Sequence, residues 1–351
     1  MCDKIQVVQL SYPDLVETVA KTSPWNKLRR LSRYVRYFVE FTLTLQLLGS
    51  CMIYHSFVAL NLKQLFEGTA EGIPNTKQVL MIYILGLMIP CLMIVMVRNL
   101  KHLAPFTIAI NLYASVAATI TIYYGLTEGI SINLAPSVKS AAGFFNFIGI
   151  TLFCLDGMSI SLPIENHMTD PRKFRYVVFG SLPYATSVMM IIGVFGGWSF
   201  GDKGVAPITI HFSWTHFPIM AKVFLCIIMY ITYAEIFYFG FNIQWHYLKK
   251  LHSISEWWRW ERFYRVINVL LITLMACVVP NVCSFMAFLG CFSVTLICFI
   301  FPACIRLVME WNQTDLHRWL WRMATYITVI ISALILLIVG SCFNLFHDVS
   351  D

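Results

Sequence analysis

Residues 149 to 166 read GITLFCLDGMSISLPIEN, an apolar run that contains an acid, a glycine and two hydroxyl side chains. An ionised carboxylate at the bilayer centre costs about 2.5 to 3.5 kcal/mol on insertion scales, so we expect Asp156 to face a cavity, a cation or a proton. The Asp156-Gly157 step also predicts a helix break, and broken helices at mid-membrane depth hold small charged solutes in secondary transporters. The alternative is that Asp156 merely caps the second half-helix by accepting its free amides.

The rest of the chain supplies a membrane context for this stretch. Its 351 residues are 58% hydrophobic and 12% charged, whereas soluble domains carry about 25% charged residues. Crossing a hydrocarbon core about 30 Å thick takes roughly 20 apolar residues in a helix, which satisfies its own backbone. We predict an all-α polytopic membrane protein with nine transmembrane helices, at about 38–62, 78–97, 103–127, 140–162, 176–200, 218–243, 264–282, 284–305 and 323–347.

The charge-free interval 266–305 is interpreted as two of these crossings. Its 40 residues would make a helix about 60 Å long, roughly twice the hydrocarbon thickness. Pro280-Asn281 near the middle is the expected turn, because proline lacks an amide donor and asparagine tolerates turn geometry. The predicted organisation is a cytoplasmic N-terminal segment, 1–37, followed by a single transmembrane domain, 38–347.

Lysine and arginine are distributed unevenly between the predicted loops. Alternate non-membrane segments hold 20 and 4 of these residues, with Lys222 counted inside its span. The positive-inside rule then places the N-terminus in the cytoplasm and the C-terminus outside. The formal net charge of +7 reflects this bias of the inner face, so we expect a lipid bilayer and no nucleic acid as partner.

Two predicted cytoplasmic stretches, 252–265 and 311–322, mix aromatic and basic residues. Each is interpreted either as a short helix in the headgroup layer or as an ordinary loop anchor. The cytoplasmic segments contain no nucleophile–base pair, phosphate-binding loop or metal-ligand spacing, so we expect neither an enzyme nor a metal site.

A second acid, Glu235, lies within the sixth predicted span. By the predicted topology, Asp156 and Glu235 both lie about 25 Å from the outer face at helical rise. The hypothesis is that the two acids share or relay a proton, because burial and mutual repulsion favour the protonated form of a carboxyl group.

The run from Gly149 to Met168, followed by the sequence DPRKF at 170–174, resembles the sixth span and next loop of proton-coupled amino acid transporters of the amino acid/auxin permease (AAAP) family. The resemblance covers nearly the whole chain. It implies an inverted-repeat (APC/LeuT-like) bundle of about eleven spans, with solute between the first and sixth helices. Further similar stretches follow in family order: 46–49 with Tyr54, 61–64, 98–100, 200–202 with 208–210, and 233–234 with 237–238.

The chain departs from this pattern because its first crossing resembles the family's third, so the first two spans are expected to be missing. The resemblance assigns the substrate carboxylate to amides of the first broken helix and its ammonium to carbonyls of the sixth. Half of that site is therefore expected to be absent. Leu155 replaces a usual aromatic residue, Ser159 a second glycine and Gly240 a proline, whereas Glu235 is additional.

Two functional classes follow from the residues and the resemblance. The first is secondary active, proton-coupled transport of small neutral amino acids in the plasma membrane or an endolysosomal (vacuolar) membrane, with the proton as coupling ion and no other cofactor. The second is a transport-incompetent truncated isoform that acts as an amino acid sensor or as the partner subunit of a membrane protein. Expected substrate-binding residues are Phe153, Asp156, Gly157, Met158, Ser159, Tyr230 and Tyr233, proton-coupling residues are Asp156 and Glu235, and weaker candidates are Gln46, Tyr54 and Glu165.

Overall fold

The computed structural model describes residues 11–67, 77–97, 112–113, 115–116, 119, 122–123, 140–168, 170–200, 216–279, 281–311 and 316–346. Helices make up all the longer elements of this described part. They are α1 (Tyr12–Thr22), α2 (Asn26–Glu67), α3 (Lys77–Val95), α4 (Ala141–Cys154), α5 (Met158–His167), α6 (Phe174–Phe200), α7 (His216–Leu248), α8 (Trp257–Val278), α9 (Val282–Leu289), α10 (Phe301–Glu310), α11 (Leu316–Ile335) and α12 (Ser341–Phe346).

Among the described residues, seven helical segments are long and apolar enough to cross a membrane, which agrees with a polytopic membrane protein. The predicted crossing 103–127 lies almost entirely outside the described residues. The crossing predicted at 264–282 lies largely in α8, which ends at Val278 and is not among the seven. Nine crossings and their orientation therefore stay predictions. The seven segments are Asn26–Glu67, Gln78–Val95, Ala141–Ser161, Pro171–Gly197, Lys222–Leu251, Val282–Glu310 and Leu320–Asn344.

The charge-free interval 266–305 is divided between two helices, as the sequence predicts. Helix α8 ends at Val278 and α9 begins at Val282. The side chain of Asn281 accepts a hydrogen bond from the amide of Cys283 at 3.1 Å, so it satisfies one of the free donors at the start of α9. Two π-helical segments, Gly290–Val294 and Leu296–Ile300, then join α9 to α10.

The stretch 252–265, interpreted as a short surface helix or a loop anchor, is helical from Trp257 onward, but as part of α8 rather than as a separate helix. After the 3₁₀ turn Ile254–Glu256, residues from Trp257 onward belong to α8, which continues to Val278. The reason is an ion pair one turn apart between Arg265 and Glu261, 2.8 Å, which supports the helix through its charged part. In the stretch 311–322, residues 312–315 lie outside the described residues, and those from Leu316 begin α11.

The chain divides into two compact units. The first comprises Met1–Leu47, Ser140–Val178 and Ser284–Asp351, and the second Leu48–Lys139 and Phe179–Cys283. In the first unit, α4 packs on the π-helical segment Gly290–Val294 and α1 packs on α10. In the second unit, α3 packs on α7 and α8.

Backbones approach closely in the first unit. A Cβ atom added to Gly149 would lie 2.8 Å from the Cα of Ala287, and one added to Gly290 would lie 2.7 Å from the carbonyl carbon of Gly149. Carbon atoms normally approach to about 3.5–4.0 Å. Both positions therefore require glycine, because the atoms that a side chain would meet belong to the backbone.

Helix α1 is fixed at the start of the first unit by charge. Its N-cap Ser11 accepts a hydrogen bond from the amide of Asp14, and Arg36 of α2 contacts three carboxylates. The guanidinium nitrogens lie 2.9 Å from Asp14, 2.9 Å from Glu17 and 3.1 Å from Glu40. Hydrogen bonding to Lys21, and then to Arg36, lowers the pKa of Glu17, so α1 is held most firmly when this carboxyl group is ionised.

Candidate functional site

The predicted helix break is confirmed at the Asp156-Gly157 step. Helix α4 ends at Cys154 and α5 begins at Met158, with Leu155–Gly157 between them outside the helix. The amides of Leu155 and Asp156 donate to the carbonyls of Thr151, 3.1 Å, and Phe153, 3.2 Å. The break therefore brings the carbonyl end of one half-helix next to the amide end of another, two partial charges of opposite sign.

The Asp156 carboxylate is the polar centre of the break. Its Oδ2 accepts hydrogen bonds from the Ser159 hydroxyl at 2.7 Å and from the Gln46 side-chain amide at 3.0 Å. Its Oδ1 lies 3.4 Å from the backbone amide of Ser159 and 3.8 Å from the thiol sulfur of Cys298. The side-chain hydrogen bonds at Oδ2 are the shorter ones, so orientation of the carboxylate, rather than capping of α5, is the main result of this geometry.

Gln46 connects the break to α2. Its side chain is 1% exposed, and its bond to Asp156 joins residues 110 positions apart. The sequence had ranked Gln46 as a weaker candidate, whereas the structure puts it in direct contact with the central acid.

Cys298 is the contact that sequence reasoning missed. It is one of 11 cysteines, and nothing in its neighbouring sequence distinguishes it from the others. It lies in the π-helical segment Leu296–Ile300, whose register determines which side chain is directed at Asp156.

Space at the break is open around Gly157. The residue is exposed, its φ is −109°, and a Cβ atom added there would meet no atom of the described residues within 4 Å outside its chain neighbours. Its backbone conformation is one that other residues also adopt. The fold therefore does not require a glycine at this position, which leaves room for a ligand as the reason for a small residue.

The other expected site residues of the first unit lie in the helices on either side of the break. Phe153 is buried in the last turn of α4, and Met158 opens α5. Ser161 donates a hydrogen bond to the Gly157 carbonyl at 2.5 Å. Glu165 is half-buried near the C-terminal end of α5, two turns beyond the break.

The remaining expected residues, Tyr54, Tyr230, Tyr233 and Glu235, belong to the second unit. The Tyr230 hydroxyl donates to the Pro90 carbonyl. Tyr233 is 1% exposed, and its hydroxyl has no hydrogen-bond partner among the described residues. Glu235 is half-buried on α7. The relation of these four residues to Asp156 stays a prediction.

A hydrogen bond connects α1 to the helix that carries Cys298. The Tyr12 hydroxyl donates to the carbonyl of Ile297 at 3.0 Å, and burial raises the pKa of this phenol. In a π-helical register, that carbonyl would receive the amide of the residue five positions later, which is Pro302 and has no N–H. Tyr12 therefore supplies a donor that the helix itself lacks, one residue before the thiol that contacts Asp156.

The arrangement can bind a solute rather than transform one. A carboxylate oriented by neutral donors can hold an ammonium group or a proton, and the amide end of α5 can hold an anion. In the described part of the chain, histidine, cysteine and acidic residues form no group of three that could hold a metal ion.

Comparison with known proteins identifies the family. The profile of the family described as "Transmembrane amino acid transporter protein" matches residues 3–343. The chain is 25% identical to "Proton-coupled amino acid transporter-like protein pathetic" of Drosophila melanogaster, covering 93% of this chain and 69% of the relative. It is 24% identical to "Probable amino acid transporter skat-1" of Caenorhabditis elegans (87% and 67%) and 26% identical to "Amino acid transporter AVT3B" of Arabidopsis thaliana (80% and 69%).

These relatives are transporters and not enzymes. Similarity to them supports amino acid transport and an integral membrane location for this chain. The family match extends over the break that carries Asp156 and over both compact units. The chain belongs to the transmembrane amino acid transporter family.

Proposed function

We propose that this protein carries small neutral amino acids across a membrane together with protons, and that the solute binds at the break between α4 and α5. The observation that carries the proposal is the Asp156 carboxylate, held at the break by Ser159 and Gln46 at 2.7 and 3.0 Å. A carboxylate and a helix N-terminus together match the ammonium and carboxylate groups of a zwitterion.

The neutral character of the substrate is supported by the side chains around Asp156. Gln46, Ser159 and Cys298 are all uncharged donors. A charged substrate side chain would find no counter-ion among these three, and an unpaired charge is costly at membrane depth. Small size and proton coupling come from the family resemblance, and one relative is named as proton-coupled.

Asp156 is the proposed proton carrier. Protonation removes its formal charge, and a neutral carboxyl group has a lower free energy in a low-dielectric region than a carboxylate. Glu235 is the second proposed coupling residue. An acidic compartment or an acidic outer medium would supply the gradient, so the plasma membrane and an endolysosomal (vacuolar) membrane are the proposed locations.

The test is uptake of radiolabelled glycine, alanine and proline by proteoliposomes, with and without an inward proton gradient. We expect uptake that the gradient increases, that Asp156→Asn abolishes, and that Glu235→Gln makes insensitive to the gradient. Asp170→Asn is the matched control, because this exposed acid lies beyond α5 and contacts Lys173 at 3.6 Å.

The alternative function gives a different result in the same preparation. Binding of an amino acid without uptake, measured by a shift in thermal stability, would indicate a sensor or a partner subunit. Gradient-dependent uptake by Asp156→Asn equal to that of the unchanged protein would refute the proposed role of the break.

A further inference from the structure

An open cavity lies in the first unit, beside the start of α2. It is widely open to its surroundings, and its volume is about 730 Å³. Its residues are distinct from those that surround Asp156. They are Pro24, Trp25, Asn26, Lys27, Leu28, Leu31 and Val35.

Contacts within the unit fix the rim of this cavity. The indole of Trp25 meets that of Trp311 edge to face, with ring centroids 4.8 Å apart. The amide of Trp25 donates to the Ser23 hydroxyl at 3.2 Å, and Arg29 donates to the Ser23 carbonyl at 3.3 Å. Tryptophan is enriched at the headgroup level of membranes, so this aromatic pair is expected to mark that level.

Positive charge lies next to the cavity, with no acidic partner in the part of the chain that the structure describes. Lys27, Arg30 and Arg33 are exposed and spaced by three residues, so they share one broad face of α2. Among the described residues, no carboxylate forms an ion pair with any of the three. The nearest acid on the helix, Glu40, is 9% exposed and contacts Arg36 instead.

Exposed aromatic residues follow the cations along the same helix. Tyr34 is 72% exposed, Tyr37 54% and Phe41 59%. The surface therefore passes from cations to tyrosines to an apolar side chain over about four turns. This is the order expected where a helix goes from the phosphate layer into the acyl-chain region.

We propose that this cavity binds one anionic phospholipid of the cytoplasmic leaflet. The lipid phosphate lies against Lys27 and Arg30, and one acyl chain lies against Leu28, Leu31 and Val35. The positive-inside distribution assigns this end of α2 to the cytoplasmic side, where anionic lipids are concentrated. The absence of acidic partners among the described residues favours a headgroup with a net negative charge over a zwitterionic one, whose net charge is zero.

Native mass spectrometry of the purified full-length chain in detergent tests the proposal. Phosphatidylserine and phosphatidylcholine with identical acyl chains are titrated separately. Each cation near a headgroup contributes about 1 kcal/mol, or about five-fold in affinity. We therefore expect phosphatidylserine to bind at least five-fold more tightly, and the Lys27→Gln/Arg30→Gln variant to lose most of this preference, because its affinity for phosphatidylserine should fall by up to about 25-fold and its affinity for phosphatidylcholine by less.

Two further variants separate the headgroup from the acyl chain. Arg172→Gln/Lys173→Gln removes the same charge from exposed residues outside the cavity and should leave lipid binding unchanged. Leu31→Trp fills the cavity and should weaken both lipids, with the melting temperature of each variant measured as a folding control. Equal binding of the two lipids, equal losses in the two double variants, or full binding by a folded Leu31→Trp protein would overturn the proposal.

Discussion

Alanine at Gly149 or Gly290 should destabilise the first unit, although alanine is the better helix former. An added Cβ would lie 2.8 Å from the Ala287 Cα in one case and 2.7 Å from the Gly149 carbonyl carbon in the other. These separations are about 1 Å shorter than a normal carbon contact. Because backbone atoms cannot rotate away, the two helices must separate.

The size of the effect follows from two opposing contributions. Overpacking costs about 1–3 kcal/mol, and two backbone contacts favour the upper part of that range. Replacing glycine by alanine inside a helix returns about 1 kcal/mol. The expected net loss is therefore about 2 kcal/mol, or roughly 4–8 °C in melting temperature at about 2–4 °C per kcal/mol for large domains.

Scanning fluorimetry in detergent, with tryptophan emission as the signal, measures this shift. The matched control is Gly193→Ala in α6, where an added Cβ meets no described atom within 4 Å. Its melting temperature should stay the same or rise by a few degrees, because only the gain of about 1 kcal/mol in helix propensity remains. A Gly149→Ala or Gly290→Ala protein that melts with the control would refute the close backbone approach.

Three other changes have expected outcomes. Ser159→Ala removes the 2.7 Å hydrogen bond to Asp156. Such a bond to a charged acceptor is worth about 1.5–3 kcal/mol, so solute affinity in uptake assays should fall at least ten-fold. The control is Ser332→Ala, which should have no effect because this hydroxyl bonds within its own helix. Folding lowers the pKa of Glu17, so the stability that its carboxylate adds is complete above the ordinary pKa of 4.5 and is lost as pH falls through the lower pKa of the folded protein. The melting temperatures of the unchanged protein and of Glu17→Gln should therefore become equal in acid and differ increasingly towards neutral pH. Tyr12→Phe leaves the Ile297 carbonyl without its phenol donor and should lower the free energy of unfolding by about 1–3 kcal/mol. Pro302→Ala restores an amide that can bond to the same carbonyl, so in a double-mutant cycle the Tyr12→Phe loss should be smaller in the Pro302→Ala background.

The helix breaks were predictable because local chemistry determines them. An acid followed by glycine inside an apolar run predicted the end of α4 at Cys154, and Pro280-Asn281 predicted the boundary between α8 and α9. Local signals were insufficient where a distant partner decides the outcome. The stretch 252–265 does not form a separate helix but continues into α8, where Arg265 pairs with Glu261 and also donates to the Val95 carbonyl of α3.

The candidate site was predictable in its central residue and in the neighbouring Ser159, but the contact with Gln46 was only a weaker expectation and that with Cys298 was not expected. Asp156 could be selected because a carboxylate in an apolar span is costly unless it has a function or a partner. Its partners Gln46 and Cys298 lie 110 and 142 positions away in the chain. No spacing rule relates residues at such separations, and the register that directs Cys298 at Asp156 depends on π-helical turns with no recognised sequence signal here.

The same π-helical segment gives the break a physical connection to the N-terminal helix. Cys298 contacts Asp156, while the preceding carbonyl, of Ile297, accepts the Tyr12 hydroxyl because Pro302 offers no amide to it. A shift of this segment by one residue would redirect the thiol and would also move the acceptor away from Tyr12. The geometry of the central acid and the docking of α1 are therefore coupled through one helical turn. The Tyr12→Phe and Pro302→Ala pair accordingly has to be measured in transport as well as in stability, because only a coupled register would change both.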